Sequence, residues 1–258
     1  MSAASAPQWT NLEGLPSEPA YDVRLDPAGV QLYVAVDGYG VYAAAAPHRQ
    51  RPRLLSTADF AARPAAPGSL LTVLGARVNA AVGANLSYPV LGIPSEAQSQ
   101  IQVPFAAVGP TVALALDTSA GPLSLPVQVQ PVSPAIFLLG DGVPMLYDAD
   151  SGLLLDGRNP AHSNGRVQIL ATGLGRVRPD WPTGLPAPLV NPPAAVATVR
   201  AFLDGAPVQV VRATLDPGQI GFYIVEIQLP VVMNFGSSLL WISADGQESN
   251  RVQIVVEP

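Results

Sequence analysis

The chain has 258 residues, 48% of them hydrophobic and 12% charged, with 13 basic against 19 acidic residues for a net charge of −6, 28 prolines, 23 glycines and no cysteine. Interior Gly and Pro cost a helix about 1 and 3 kcal/mol each, so this composition excludes long helices. It also excludes thiol catalysis and cysteine-based metal sites, and it argues against a general nucleic-acid binder, which needs basic density to neutralise phosphate.

The opening stretch, MSAASAPQWTNLEG, has neither the basic region nor the continuous apolar core of a signal peptide. No segment is apolar for long enough to span a bilayer as a helix, so no membrane insertion is expected. Residues 1–46 are predicted as a three-stranded meander with strands in AYDVRLDP (20–27), VQLYVAVDG (30–38) and YGVYAAA (39–45). Asp26-Pro27-Ala28-Gly29 and Asp37-Gly38 supply its turns. Residues 47–67, with His48, Arg49, Arg51 and Arg53 among prolines, read as a solvated Pro/Arg-rich linker rather than a phosphate site.

The remainder is predicted as one fold written twice, a first sandwich over 68–133 and a second over 134–258 with its leading hairpin. IQVPFAAVGPTVALALDTSAGPLSLPVQVQPV (101–132) aligns with IQLPVVMNFGSSLLWISADGQESNRVQIVVEP (227–258). Gly109 falls opposite Gly236, Gly121 opposite Gly246 and Val127 opposite Val252. Upstream, GSLLTVLGARV (68–78) matches GRVQILATGLGRV (165–177), and 87–105 matches 206–230. Strand and turn signals every 8–12 residues, with alternation in VALALD and VQIVV, mark sandwiches. The predicted class is all-β: two tandem immunoglobulin-like β-sandwiches after an N-terminal three-stranded blade-like meander.

Two resemblances accompany these patterns. Trp9, Asp26, Pro27, Leu32, Tyr33, Gly38, Gly40, Val41 and Tyr42 resemble one blade of the sialidase-like and sortilin-like β-propellers. A lone blade cannot close a propeller, so the resemblance implies either the C-terminal part of a longer propeller protein or a small sheet packed on the next domain. Whether Met1 is the natural start is left open by it. The apolar residues Leu32, Val34, Val36, Val41 and Tyr42 then call for docking on the first sandwich or self-association through residues 8–46. In the second copy, SPAIF (133–137), YDADSGLLLDGRNPA (147–161), GRVQILATGLGRVRPDWPTGLPAP (165–188), LDGAPVQVVRATLDPGQIGFYIVEIQLP (203–230) and ADGQESNRVQIVV (244–256) are similar to the immunoglobulin-like C-terminal domain of large secreted acidobacterial proteins. The first copy is a shorter version without the ATGLG and PTG-PAP segments. That family has no assigned activity, and the resemblance implies an extracellular or cell-surface location.

No constellation in the sequence calls for catalysis, a metal or a cofactor. Asp148, Asp150, Gly152 and Asp156 form a fragment of a calcium loop, but Asn159 stands where the bidentate acid belongs, so the stretch reads as a hairpin turn. His162, Ser163 and Asp156 lack the strained elbow a nucleophile needs, and no helix follows Gly173-Leu174-Gly175 as a dinucleotide site requires. Trp241 shares a strand face with Leu239 and Ser243. Trp181, in RPDWPTGLP, is the better placed aromatic and the one candidate ligand contact. The expected function is a non-enzymatic module of a secreted or cell-surface bacterial protein, a spacer, adhesion or assembly domain with a protein or glycan partner. The alternative is the non-catalytic C-terminal tail of a propeller-type glycosidase or carbohydrate-binding protein.

Overall fold

The computed structural model describes residues 16–25, 31–45, 52–95, 97–119 and 121–258, and among them every regular element is a strand. The chain divides into two compact units, Met1–Arg51 and Pro52–Pro258. In the first, β1 (Ala20–Leu25), β2 (Gln31–Val36) and β3 (Gly40–Ala45) make an antiparallel sheet in chain order. The turn between β2 and β3 uses Gly38 and Gly40 at positive φ, where an L side chain is strained. Val34 and Val36 are buried, whereas Val41, expected to need cover, is 70% exposed. Trp9 and the turn at 26–29 lie outside the described residues.

The stretch expected as a linker is folded from Pro52 onward, which corrects that reading; residues 46–51 lie outside the described residues. β4 (Arg53–Ser56) pairs antiparallel with β5 (Leu70–Leu74), and Ala65 bridges in parallel to Val129. A four-residue edge strand tolerates neighbouring prolines because its outer N–H groups have no ladder to join. Prolines and arginines therefore hid a strand.

The first sandwich continues with β6 (Val78–Gly83), β7 (Leu86–Ser87), β8 (Val90–Ser95), β9 (Gln98–Gln102), β10 (Thr111–Thr118) and β11 (Gly121–Gln128). Its two sheets run β4-β5-β9-β8 and β11-β10-β6-β7. Read in chain order, that is the ABED sheet facing the CFG sheet of immunoglobulin folds, with one added strand beside C. Strand β10 alternates as its sequence dictates, with Val112, Leu114 and Leu116 in the core and Thr111, Ala113 and Ala115 outside.

The second sandwich opens with β12 (Ala135–Ile136) and β13 (Leu146–Asp148), both paired to β15 (Arg166–Thr172), while β14 (Ala161–His162) runs parallel to the last strand. β16 (Val177–Arg178) and β17 (Ala194–Ala195) form a small ladder. β18 (Val199–Leu203), β19 (Ala206–Leu215), β20 (Tyr223–Gln228), β21 (Gly236–Ala244), β22 (Gln247–Glu248) and β23 (Val252–Glu257) complete it. β19 changes sheets along its length: Ala206–Val208 pair with β18, and Gln209–Leu215 pair with β20, with a bulge between Val210 and Arg212 in the second stretch. In the first copy the same path is two strands, β7 and β8, separated by Tyr88-Pro89.

Cross-strand register makes the repeat exact to the residue. Leu71 pairs with Ile101 as Val167 pairs with Ile227, and Val112 pairs with Val127 as Ser238 pairs with Ile254. The parallel bridge Ala65–Val129 recurs as Ala161–Val256. Four sequence matches shift accordingly, among them Gly109, which corresponds to Phe235 rather than Gly236, and Gly121, which corresponds to Gln247 rather than Gly246. Val127 corresponds to Ile254 rather than Val252, and Gly68 corresponds to Asn164 rather than Gly165. Each copy encloses its own core, the first around Val73, Ile101, Leu114 and Leu116, the second around Ile169, Val225, Ile227 and Ile242.

Candidate functional site: the junction and its groove

The two sandwiches meet without a free linker. After β11 the chain runs on as Val129–Pro131, held by Ala65 through the Gln130 N–H (2.8 Å), and Ser133 N–H donates to Gly173 O at 2.8 Å. Gly173 and Gly175 have φ of +79° and +84°, and a Cβ on either would lie 1.9 Å from Ser133 O or 2.4 Å from Pro131 O. The ATGLG segment that the first copy lacks is thus what lets the backbones touch.

Around this crossing lies an apolar cluster drawn from both copies: Ala58 and Leu70 from the first, Ala135 and Phe137 from the second, all buried, with Phe222 stacked on Phe137 at 4.6 Å. Hydrogen bonds also cross it, although the buried Arg63 Nε has no partner. The Thr172 hydroxyl accepts from Leu70 N–H (3.1 Å) and donates to Gly221 O (2.9 Å). Gly184 N–H donates to Gln102 Oε1 at 2.7 Å, Phe105 N–H to Thr183 Oγ1 at 3.0 Å, and Leu138 N–H to Ala58 O at 2.8 Å. Arg63, ion-paired with Asp59, donates to Pro134 O at 3.1 Å. The Tyr223 hydroxyl reaches Gly175 O at 2.5 Å, and burial pushes its pKa far above the ordinary tyrosine range.

A groove follows the junction on the surface. One part, of about 460 Å³, is lined by Ala107, Val108, Pro131, Val132, Arg176 and Val196, with Asp245 at its edge. The adjoining part is lined by Phe105, Ala106, Arg176, Asp180, Trp181 and Thr183. Arg176 belongs to both. Trp181 is half-buried against the second core, and its indole N–H donates to Leu185 O at 3.2 Å. The groove therefore offers part of an aromatic surface beside an exposed guanidinium and two carboxylates.

The other residues singled out from sequence are used locally. Asp148 accepts from Asp150 N–H, Ser151 N–H and the Ser151 hydroxyl, and the Ser151 bonds hold its pKa below the usual carboxylate range. Asp156 caps Arg158 and Asn159 N–H groups, which lower its pKa too, and Asp150 is paired with Arg166. His162 Nδ1 lies 3.2 Å from Pro258 O, with no link to Ser163 or Asp156. Among the described residues no group of three potential metal ligands comes together. Trp241 faces outward with Ser243, yet it is buried because Phe202 stacks on it at 5.3 Å and the Arg251 guanidinium sits 4.4 Å above its ring. The sequence did not single out Glu226, a buried carboxylate held by Arg166 (3.0 Å) and Arg212 (2.9 Å) from neighbouring strands. Its signal was the Arg212–Glu226–Gln168 register across three strands.

No family model matches the chain, and no curated protein matches it. Solved structures do. One is the mixed-linkage glucan utilization locus protein SGBP-B of Bacteroides ovatus in complex with a mixed-linkage heptasaccharide, at 13% identity over 88% of this chain and 53% of that one, TM-score 0.35. Others are domains 5–6 of the S-layer protein SbsC, at 16% identity over 80% and 96% of the two chains, TM-score 0.31, and the I9–I11 tandem of titin, at 9% over 88% and 73%, TM-score 0.24. The chain spans about half the length of SGBP-B proteins from B. ovatus and Bacteroides uniformis. These are likenesses of fold. No helix among the described residues is long and apolar enough to cross a membrane.

Proposed function

We propose that the chain is a non-enzymatic module of an exported, cell-surface bacterial protein, in which the paired sandwiches act as a stiff spacer and assembly unit. The observation that supports this most is the junction, where apolar side chains and paired polar groups fix one sandwich on the other. Hydrogen bonds that span an interface resist bending, because an alternative arrangement leaves their donors and acceptors unpaired. The acidobacterial secreted-domain resemblance and the cell-surface placement belong to this proposal, as does self-association through the meander. Sedimentation of the full chain against one beginning at Pro52 tests that last part, with association expected only in the full chain.

A second reading is favoured by one observation, the partly exposed Trp181 ring beside Arg176 and Asp180. An apolar face with a few convergent polar groups is the make-up of a small-ligand site, and a glycan is the ligand class a carbohydrate-binding tail would take. A carbohydrate array probed with the intact chain and with Trp181→Ala separates the readings. The spacer reading expects no glycan signal. Reproducible binding that is lost in Trp181→Ala replaces it with the second.

A further inference from the structure

The internal repeat allows the same surface to be inspected twice, once covered at Gln102 and Phe105 and once open throughout. In the first copy, the loop after β9 leads from Gln102 through Pro104 and Phe105 to Gly109, and it is seated on the second sandwich. Phe105 packs on the second core, and Gln102 Oε1 receives the Gly184 N–H of the Trp-Pro-Thr-Gly turn at 181–184. In the second copy, the loop after β20 leads from Gln228 through Pro230 and Val231 to Gly236. Gly236 stands one register position beyond that of Gly109, and both have a φ of +102°.

The equivalence extends to the hydrogen-bonding end of the surface. Gln102 Nε2 donates to Gly68 O at 3.5 Å, and Gln228 Nε2 donates to Asn164 O at 2.6 Å. By register Gly68 and Asn164 are the same position, and both have left-handed φ, +77° and +57°. Val103 N–H reaches Ser69 O, and Leu229 N–H reaches Gly165 O, each at 2.9 Å. Both amides are thus anchored through their nitrogen. Gln102 spends its oxygen on the neighbouring sandwich, whereas Gln228 Oε1 has no protein partner among the described residues. The loop beside it is apolar and open: Val231 is 67% exposed, Val232 89% and Phe235 54%.

We infer that this end of the second sandwich, Gln228 with Val231 at its centre and Val232 at its rim, is a docking surface for a further immunoglobulin-like module carrying a Trp-Pro-Thr-Gly turn like that of 181–184. What covers it is indicated by what covers its twin. The first sandwich of another copy does not fit, because only Gly75, Ala76 and Arg77 separate β5 from β6, where the turn would have to be. The turn in another copy's second sandwich is already occupied by its own Phe105 loop. The occupant is therefore a module outside these 258 residues. This goes beyond the spacer reading by naming the partner, and its failure would leave the rigidity of the existing pair untouched.

The test appends a second copy of residues 132–258 directly after Pro258, since register places Pro258 at the position of Pro131. Amide hydrogen exchange is then compared in the loop 231–236 of the original and extended proteins. Docking is expected to slow the loop by about tenfold or more. V231D combined with V232D should restore the fast rate in the extended protein while leaving the melting temperature of the original chain unchanged. Equal loop exchange in the two proteins with the added copy folded overturns the proposal, as does an added copy that stays unfolded beside its intended support. Concentration-dependent dimerisation of the original chain that V232D abolishes would assign the surface to a second copy instead and also overturn it.

Discussion

The two sandwiches share strand order, register and core positions, with β13 standing where β4 stands, yet among the described residues only the second carries a leading strand like β12 and a segment like 173–188. Those additions are what build the junction: Phe137 and Met145 from the leading hairpin, Gly173 and Gly175 at the backbone crossing, Thr183 and Gly184 in the Pro-rich turn. The first copy answers with loops it needed anyway, at Ala58, Leu70 and Phe105. One copy keeps the minimal fold and the other spends extra chain on holding it. A repeat that is uniform in its core is therefore asymmetric in its contacts, and substitutions at equivalent positions should separate the two properties.

The largest effects are expected where the copies are most alike. Ile101 and Ile227 are fully buried at the same register position, so either residue changed to Ala should cost about 2–5 kcal/mol. If the junction couples the copies, both variants lower the same single transition in calorimetry. A lowered transition confined to one sandwich, with the other unmoved, would break the coupling. Phe137→Ala removes a buried ring that belongs to the junction alone. A loss of about 3 kcal/mol is expected in denaturant unfolding, with the one transition splitting into two.

A pH test contrasts the buried tyrosines. Burial raises the pKa of both Tyr88 in the first copy and Tyr223 in the second. A raised acid keeps its proton when folded and loses it when unfolded, so its contribution is complete below about pH 10. Above that it fades by about 1.4 kcal/mol per pH unit for each group. Tyr→Phe at either site should flatten this alkaline loss. At neutral pH the two should differ. Tyr223→Phe forfeits the bond to Gly175 O and costs about 1 kcal/mol, whereas the Tyr88 hydroxyl is buried without a partner, so Tyr88→Phe should be neutral or mildly stabilising. Equal costs would mean the hydroxyls are not distinguished in this way. The smallest contrast is at the paired glutamines. Gln102→Ala leaves the Gly184 N–H unanswered and should cost about 1–2 kcal/mol. Gln228→Ala, at the open end, should stay within about 0.5 kcal/mol of the parent.

Much of this fold was legible in the sequence because alternation and turn chemistry act locally. Strands β10 and β23 follow from VALALD and VQIVV, and the β2–β3 turn from Asp37-Gly38. What escaped depends on contacts distant in sequence. Strand β5 is buried on both faces from Leu70 to Val73, because the junction covers the side that would otherwise be polar. The alternation that fixes register was erased there, and the alignment slipped by one residue. The two-residue slip at Val127 kept the same inward face, so no period-two pattern could reveal it. Strand β4 was hidden by prolines that an edge tolerates. Trp181 was rightly placed in a loop, but its setting beside Phe105 is created by a contact between residues 105 and 183 that neither local stretch encodes.

Rigidity of the paired sandwiches is the claim on which the rest stands. Residual dipolar couplings of backbone amides, measured separately over 68–128 and 165–257 in one aligned sample, test it directly. The account predicts one alignment tensor, equal in magnitude and orientation for both sandwiches. Two tensors of different magnitude would show the sandwiches moving independently and contradict it.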